Sequence, residues 1–210
     1  MSDRISSPGK AARLIKAKRK EVPVEQALLA GIFGIDASGK GYMAANLAAE
    51  LGEFKVAVIN VDGWLNLPHI RFSPMDPARH FYENALRLDE MFEKLVLPLQ
   101  RNRSVRVIAN YTEETASEYR EYEYAFENID IILLEGIFLF KPMYVGLFDL
   151  KIWIECSFET ALERAVARGQ EGLSPADTIS AYRTIYFPAQ ELPFYEDKPS
   201  DLADVIIVNS

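Results

Sequence analysis

The fold is decided by residues 34–41, which read Gly-Ile-Asp-Ala-Ser-Gly-Lys-Gly. They overlap the end of the apolar run 28–35, whose β-branched and aromatic residues are typical of a strand buried on both faces. Downstream, Met43, Leu47 and Leu51 recur four residues apart, which predicts a helix with one apolar stripe. A glycine-bounded turn between a buried strand and a helix is the setting of a phosphate-binding P-loop. We therefore predict that this loop binds a nucleotide.

The chemistry of this loop follows from its residue types. Glycines let backbone N–H groups turn inward around phosphate oxygens, and the helix N-terminus favours an anion. Lys40 supplies a cation for the β- and γ-phosphates. Gly41 stands where Ser or Thr usually ligates Mg²⁺, so the metal would need a water or a carboxylate instead. The predicted nucleotide-binding residues are Gly34, Asp36, Ala37, Ser38, Gly39, Lys40, Gly41 and Tyr42.

Further apolar runs alternate with helical segments along the chain, which predicts an α/β fold with a parallel sheet covered on both faces. The predicted strands are residues 55–61, 105–109, 129–134, 150–155 and 205–208. We also expect one long helix from Pro77 to about Val96, and a loop or hairpin over residues 111–126. Ligands of such sheets bind at the carboxyl ends of the strands, so the residues that end each strand are the candidates for a site.

Composition limits the function classes. The 210 residues are 49% hydrophobic with a net charge of −8, which fits one globular domain and excludes non-specific binding to nucleic acid or anionic membranes. Residues 1–20 carry seven basic residues and one acid, and we assign residues 1–24 to a basic helical arm outside a P-loop domain at 25–210. A single cysteine, Cys156, excludes an internal disulfide framework, and two histidines leave little for a metal cluster.

The sequence contains no run of 18–20 apolar residues, so it predicts no membrane span, and we expect a cytoplasmic protein. The oligomeric state stays open, and assembly into a homo-oligomer is compatible with the sequence.

Two carboxylates end predicted strands. Glu135 follows the apolar run 131–134. It either holds Mg²⁺, directly or through water, or is only a charged residue at the point where the chain leaves the core. Asp62 ends the second predicted strand. It either takes the proton from a hydroxyl that accepts a phosphoryl group from the nucleotide, or it forms an Asp-Gly turn. Asp62 is also a candidate for contact with the metal and the acceptor.

Arginines and aromatic residues complete the candidate site. Arg164 and Arg168 lie four residues apart on one predicted helix, where they either close over the nucleotide as part of a lid or remain solvated. The segment at about 63–127 is where an acceptor-binding insertion is expected. Within it, Trp64 and Tyr111 are the candidate acceptor contacts, although most of its aromatic residues are expected to be ordinary packing.

Over about residues 28–208 these features resemble the uridine kinase and phosphoribulokinase family of P-loop kinases. The most specific segments are 134–137, Leu-Glu-Gly-Ile, and 203–207, Ala-Asp-Val-Ile-Ile. The resemblance implies a P-loop NTPase three-layer sandwich with a five-stranded parallel sheet, like nucleoside-monophosphate kinases. It also implies ATP with Mg²⁺ and phosphoryl transfer to a hydroxyl of a nucleoside, uridine or cytidine for example, or of a related sugar compound. The implied roles are general base for Asp62, metal-side carboxylate for Glu135, P-loop lysine for Lys40, and lid arginines for Arg164 and Arg168.

Two other functions stay open. A nucleotide-binding regulator or pseudokinase is favoured by Gly41 and by the short lid at 168–172. A nucleoside-monophosphate kinase is favoured by the loop 34–40, and it would need an arginine cluster within residues 63–110 to bind the acceptor phosphate. The arginines available there include Arg71, Arg79, Arg101, Arg103 and Arg106.

Overall fold

The computed structural model describes residues 3–5, 8–195 and 198–209. The strands within these ranges are β1 (Asp3–Ile5), β2 (Leu28–Gly34), β3 (Val56–Asn60), β4 (Val105–Tyr111), β5 (Arg120–Phe126), β6 (Ile131–Gly136), β7 (Leu150–Glu155) and β8 (Val205–Val208). Six of them form one parallel sheet in the order β1-β8-β7-β2-β6-β3, and β4 and β5 form a separate antiparallel hairpin. The expected α/β fold with a parallel sheet is confirmed, with β1 as an additional strand, whereas the predicted strand at 105–109 lies outside this sheet.

Helices connect the strands and cover the sheet. They are α1 (Pro8–Arg19), α2 (Lys40–Glu50), α3 (Pro68–Arg71), α4 (Pro77–Asn84), α5 (Leu88–Met91), α6 (Leu97–Asn102), α7 (Pro142–Val145), α8 (Phe158–Arg168), α9 (Pro175–Ala181), α10 (Phe187–Glu191) and α11 (Pro199–Leu202). Single π-helical turns, Phe92–Val96 and Tyr182–Tyr186, join α5 to α6 and α9 to α10. Among the described residues, no helix is long and apolar enough to cross a bilayer.

The central strand β2 explains the layered core. All seven of its residues are buried, and alternate side chains enter two separate apolar clusters, because successive side chains of a strand point to opposite faces. Leu29 and Phe33 pack in one cluster, and Leu28, Ala30 and Ile32 pack in the other. Since β6 and β7 flank β2, their carboxyl ends lie beside the P-loop.

Helix α1 belongs to one of these two layers. Its residues Ala11, Ala12 and Ile15 are buried, and they join the cluster that contains the apolar face of α2. Arg19 closes the helix by donating to the backbone carbonyl of Val22 at 3.0 Å. The basic segment therefore packs against the sheet layers through its apolar side, while most of its charges face outward.

The region between β3 and β4 differs from expectation. The single helix predicted from Pro77 to Val96 is wrong, because α4 ends at Asn84 and the chain turns before α5 begins. In that turn Ala85 and Arg87 bond to the backbone that follows β3: Asn66 N donates to Ala85 O, and Arg87 N donates to Trp64 O. The segment 111–126, predicted as a loop or hairpin, contains the loop and second strand of a hairpin whose first strand, β4, begins at Val105.

Candidate active site

A cavity of about 350 Å³ lies at the carboxyl ends of the strands. Most of the predicted site residues line it, namely Asp36, Ala37, Gly39, Lys40, Gly41, Tyr42, Asp62, Glu135, Arg164 and Arg168. Gly34 and Ser38 lie behind the loop surface, and Trp64 and Tyr111 lie outside the cavity wall. The fold thus brings the P-loop, the two strand-end carboxylates and the two arginines of α8 into one space.

The P-loop has the backbone that a phosphate cradle needs. Ala37 has φ +55° and Gly39 has φ +93°, whereas Ser38 between them does not have a positive φ, and such alternation is typical of anion-binding nests. A Cβ on Gly34 would lie 2.5 Å from Ser38 Oγ, so a side chain at that position would push the loop outward. Lys40 begins α2, is 8% exposed, and donates from Nζ to the Ile35 carbonyl at 2.8 Å.

Two side chains from the C-terminal part of the chain hold the loop in place. Asn209 donates from Nδ2 to the Ser38 carbonyl at 2.7 Å, and Gln190 accepts from the Asp36 N–H at 2.6 Å. Sequence reasoning missed both residues. Asn209 directly follows β8, so the rule that ligands meet the carboxyl ends of strands was a signal that could have found it. Gln190 lies in α10 and carries no such signal.

The two strand-end carboxylates lie in an environment poor in compensating charge. Glu135 is 5% exposed, and burial raises the pKa of its carboxyl to about 7 even though Lys40 acts to lower it. Solvent reaches Asp62 through the cavity, but desolvation by the surrounding protein and the charge of Asp36 raise its pKa, while Lys40 lowers it. Both acids would be stabilised in their charged form by a cation placed between them and the P-loop.

The residues fit a magnesium ion bound with the nucleotide. No group of three or more metal-ligating side chains occurs in the part of the chain that the structure describes. Mg²⁺ in kinases typically takes one or two carboxylates together with phosphate oxygens and waters, so Glu135 is sufficient as the protein ligand. A Cβ built on Gly41 would lie 3.5 Å from Glu135 Oε1, which shows how closely the start of α2 approaches this carboxylate.

A hydrogen-bonded cluster, which we call the latch, joins the lid region to the P-loop. It consists of Asp36, Arg168, Glu171 and Tyr182. Arg168 lies 2.9 Å from Glu171 and 3.6 Å from Asp36, and the Tyr182 hydroxyl lies 2.5 Å from Asp36 Oδ2. The segment between Arg168 and Glu171 begins at Gly169, which has φ +59° and ends α8.

Arg164 lies one helical turn before the latch, on the same side of α8. Its Nη1 donates to the Asn209 carbonyl at 3.1 Å and contacts Cys156 Sγ at 3.5 Å. The same asparagine therefore contacts both the P-loop and a cavity arginine. This arrangement orients Arg164 toward the nucleotide side of the cavity.

Known proteins share both the sequence pattern and the fold. A curated uridine kinase from Vibrio vulnificus is 28% identical over 191 residues, which is 87% of each chain. A solved structure of a possible uridine kinase from Bacillus stearothermophilus has a TM-score of 0.67, with 17% identity over 94% of this chain and 99% of that one. A D-glycerate 3-kinase from Cryptococcus neoformans has a TM-score of 0.60, with 13% identity over 88% and 87%. The resemblance to uridine kinases is confirmed. No family model matches the chain.

Two of the residues predicted to contact an acceptor lie outside the cavity. Trp64 is fully buried and stacks on Tyr124 at 5.5 Å between ring centroids. Tyr111 packs over Gly63, where a Cβ would lie 2.7 Å from its ring. Both residues therefore support the cavity from behind. The cavity wall itself also includes Asn60, Asp62, Leu65, Phe81, Glu114, Ile137 and Tyr186.

The arginines of residues 63–110 do not form a cluster. Arg79 pairs with Asp76, Arg87 with Glu90, Arg103 with Asp130 and Arg106 with Glu123, while Arg101 is exposed and Arg71 is buried against Glu114. None of the six lines the cavity. The phosphate-binding cluster that a nucleoside-monophosphate acceptor would need is thus missing among these residues.

Proposed function

We propose that the chain transfers the γ-phosphoryl group of ATP to a hydroxyl of a nucleoside, uridine or cytidine for example, or of a related sugar compound. The observation that carries this proposal is the convergence of Lys40, Asp62 and Glu135 on one cavity at the edge of a P-loop kinase sheet. The sequence similarity to curated uridine kinases, over most of both chains, supports the same reaction class.

Each residue has a role that its position allows. The N–H groups of residues 39–41 and the Lys40 ammonium bind the phosphates of ATP. Asp62 accepts the proton of the acceptor hydroxyl as the oxygen bonds to phosphorus, and its raised pKa makes it a stronger base than a solvated aspartate. Arg164 and Arg168 offset negative charge on the transferred group. Mg²⁺, held by Glu135, would supply further charge neutralisation on the phosphate oxygens.

Two observations support a second candidate, a nucleotide-binding regulator without efficient transfer. Gly41 offers no hydroxyl to the metal, and the latch holds Arg168 between Asp36 and Glu171 rather than free in the cavity. A regulator would bind ATP with Mg²⁺ and release no ADP in response to any acceptor.

The experiment measures ADP release with Mg²⁺-ATP against a panel of nucleosides and sugars, with mass spectrometry of the product. Asp62→Asn is expected to lower kcat at least 100-fold while the Kd for an ATP analogue changes less than threefold. Asp177→Asn is the matched control, because Asp177 lies at the exposed start of α9 beside its capping Ser174. Full turnover by Asp62→Asn would contradict the assignment of the base, and ATP binding without product from any acceptor would favour the regulator.

A further inference from the structure

A buried ion pair lies directly behind the acceptor side of the cavity. Arg71 is 1% exposed, and its Nη2 donates to Glu114 Oε1 at 2.9 Å and to the Glu114 backbone carbonyl. Its Nη1 donates to the Asn66 carbonyl at 3.2 Å, and its guanidinium lies 5.1 Å from the centre of the Phe72 ring. A buried guanidinium is costly unless it is paired, so Arg71 fixes the position of Glu114.

Glu114 reaches the cavity from the loop between β4 and β5. It lines the same wall as Asp62, Phe81 and Tyr186. This loop is exposed on the other side, where the neighbouring Glu113 pairs with Arg120 at 3.1 Å. Glu114 is therefore the acidic residue of the loop that is turned inward, and Arg71 holds it there.

Among the described residues, carboxyls line the cavity from several elements, namely those of Asp36, Asp62, Glu114, Glu135 and Glu171, whereas the cations come from two elements. In the part of the chain that the structure describes, the cations that line the cavity are Lys40 of the P-loop and Arg164 and Arg168 of α8. The acceptor side carries the carboxyls of Asp62 and Glu114 instead, and the charge of Arg71 is already paired. A substrate that brought a phosphate or a carboxylate to this side would meet negative charge without a free cation. A substrate hydroxyl could instead donate a hydrogen bond to either of the two carboxyls.

We infer that Glu114, positioned by Arg71, is a specificity-determining residue that binds a hydroxyl of the acceptor and rejects acceptors that carry an anionic group. This inference rests on the proposed phosphoryl transfer and narrows its acceptor to an uncharged polyhydroxy compound. Sequence reasoning missed Glu114, because nothing in residues 112–119 indicates which acid turns inward.

The electrostatics of Glu114 agree with this role. Burial raises its pKa to about 7, Arg71 acts in the opposite direction, and the charges of Asp36, Asp62 and Glu171 raise it further. The carboxylate therefore predominates at pH 8, which is the pH chosen for the test. A substrate hydroxyl that donates a hydrogen bond to Glu114 would stabilise its negative charge, which burial in the cavity otherwise makes unfavourable.

The first measurement compares matched acceptors on the wild-type chain at pH 8 with saturating Mg²⁺-ATP. Each pair shares a reacting hydroxyl, and one member adds an anion: uridine 2′- or 3′-phosphate against uridine, and glycerate against glycerol. For the pair that is turned over, the neutral member is expected to have at least a tenfold higher kcat/KM. Equal or better use of the anionic member would overturn the inference while leaving phosphoryl transfer intact.

The second measurement uses Glu114→Gln, with Glu113→Gln as the matched control one residue away. Glu114→Gln is expected to raise KM for the neutral acceptor at least tenfold, to keep KM for ATP within twofold, and to lower the neutral-to-anionic preference at least tenfold. Glu113→Gln is expected to change none of these. An unchanged preference in Glu114→Gln would overturn the inference, since a merely structural role predicts loss of activity toward both acceptors.

The two proposals fail in different ways. If the wild-type chain phosphorylates neither member of any pair, the proposed transfer fails, and the inference fails with it. If it phosphorylates acceptors without regard to charge, only the inference fails. Thermal stabilisation by Mg²⁺-ATP analogue verifies that Glu114→Gln is folded, and the comparison on the wild-type chain decides the question if that variant does not fold.

Discussion

The Tyr182 hydroxyl lies 2.5 Å from Asp36 Oδ2, although the two residues are 146 positions apart in the chain. Tyr182 is fully buried, and its oxygen also contacts Glu171 and Arg168, at 2.8 and 3.1 Å. One phenol thus connects the P-loop with the segment that follows α8. Nucleotide binding and the position of this segment are therefore expected to be coupled.

Removing this hydroxyl tests the latch. Tyr182→Phe leaves the ring in place and deletes the contacts to Asp36 and Glu171, so a buried carboxylate loses a partner. We expect the free energy of unfolding to fall by about 1–2 kcal/mol, measured by urea denaturation. Tyr122→Phe is the control, because that side chain is partly exposed and packs among other tyrosines. A Tyr182→Phe variant as stable as wild type would show that the latch does not stabilise this structure.

The missing hydroxyl at position 41 has a direct test. The Cβ position of Gly41 is 3.5 Å from Glu135 Oε1, so Gly41→Ser fits without displacing a neighbour and adds an oxygen beside the predicted metal ligand. We expect the Kd for ATP analogue to fall at least threefold in the presence of Mg²⁺ and to stay unchanged with EDTA. Gly41→Ala controls for the added methyl group, which by itself favours a helix. Equal affinities of the serine and alanine variants would contradict a metal at this place.

The raised pKa of Glu114 predicts a pH dependence of stability. The folded chain holds the Glu114 proton up to about pH 7, whereas the unfolded chain releases it near its ordinary value of 4.5. Between these values the folded state binds more protons, so its stability is full below the lower pH and is lost as pH rises through the upper one. Relative to wild type, Glu114→Gln should therefore gain stability from pH 5 to pH 8, by at most about 3 kcal/mol. A difference in unfolding free energy that is constant across this range would contradict the assigned pKa.

Local patterns predicted the parts of the molecule that depend on short stretches of sequence. The P-loop, the strand ends at Asp62 and Glu135, and the buried strand β2 all follow from periodicity and glycine spacing. Gln190 and Glu114 were missed because each contacts a residue that is distant in the chain, and such tertiary contacts have no local signature. Asn209 was missed although its position directly after β8 was a signal.

The lack of a local signal for tertiary contacts also explains why one long helix was wrongly predicted in the region after β3. The apolar spacing over residues 77–96 is helical throughout, and both halves are helical in the structure. The interruption at 85–87 exists because Asn66 N–H and Trp64 C=O use the backbone there as partners. A backbone group buried without a hydrogen bond is costly, so the tertiary contact overrides the helical pattern.

Strand β1 affects whether the protein can self-associate through the edge of its sheet. Without it, β8 would form the outer edge of the sheet, with the sequence Val-Ile-Ile-Val at 205–208. Four β-branched residues on an open edge form a template for a strand from another chain. Pairing with β1 occupies that template, and the edge becomes a strand of only three residues. Residues 3–5 thus keep the backbone of β8 from pairing with a strand of another chain.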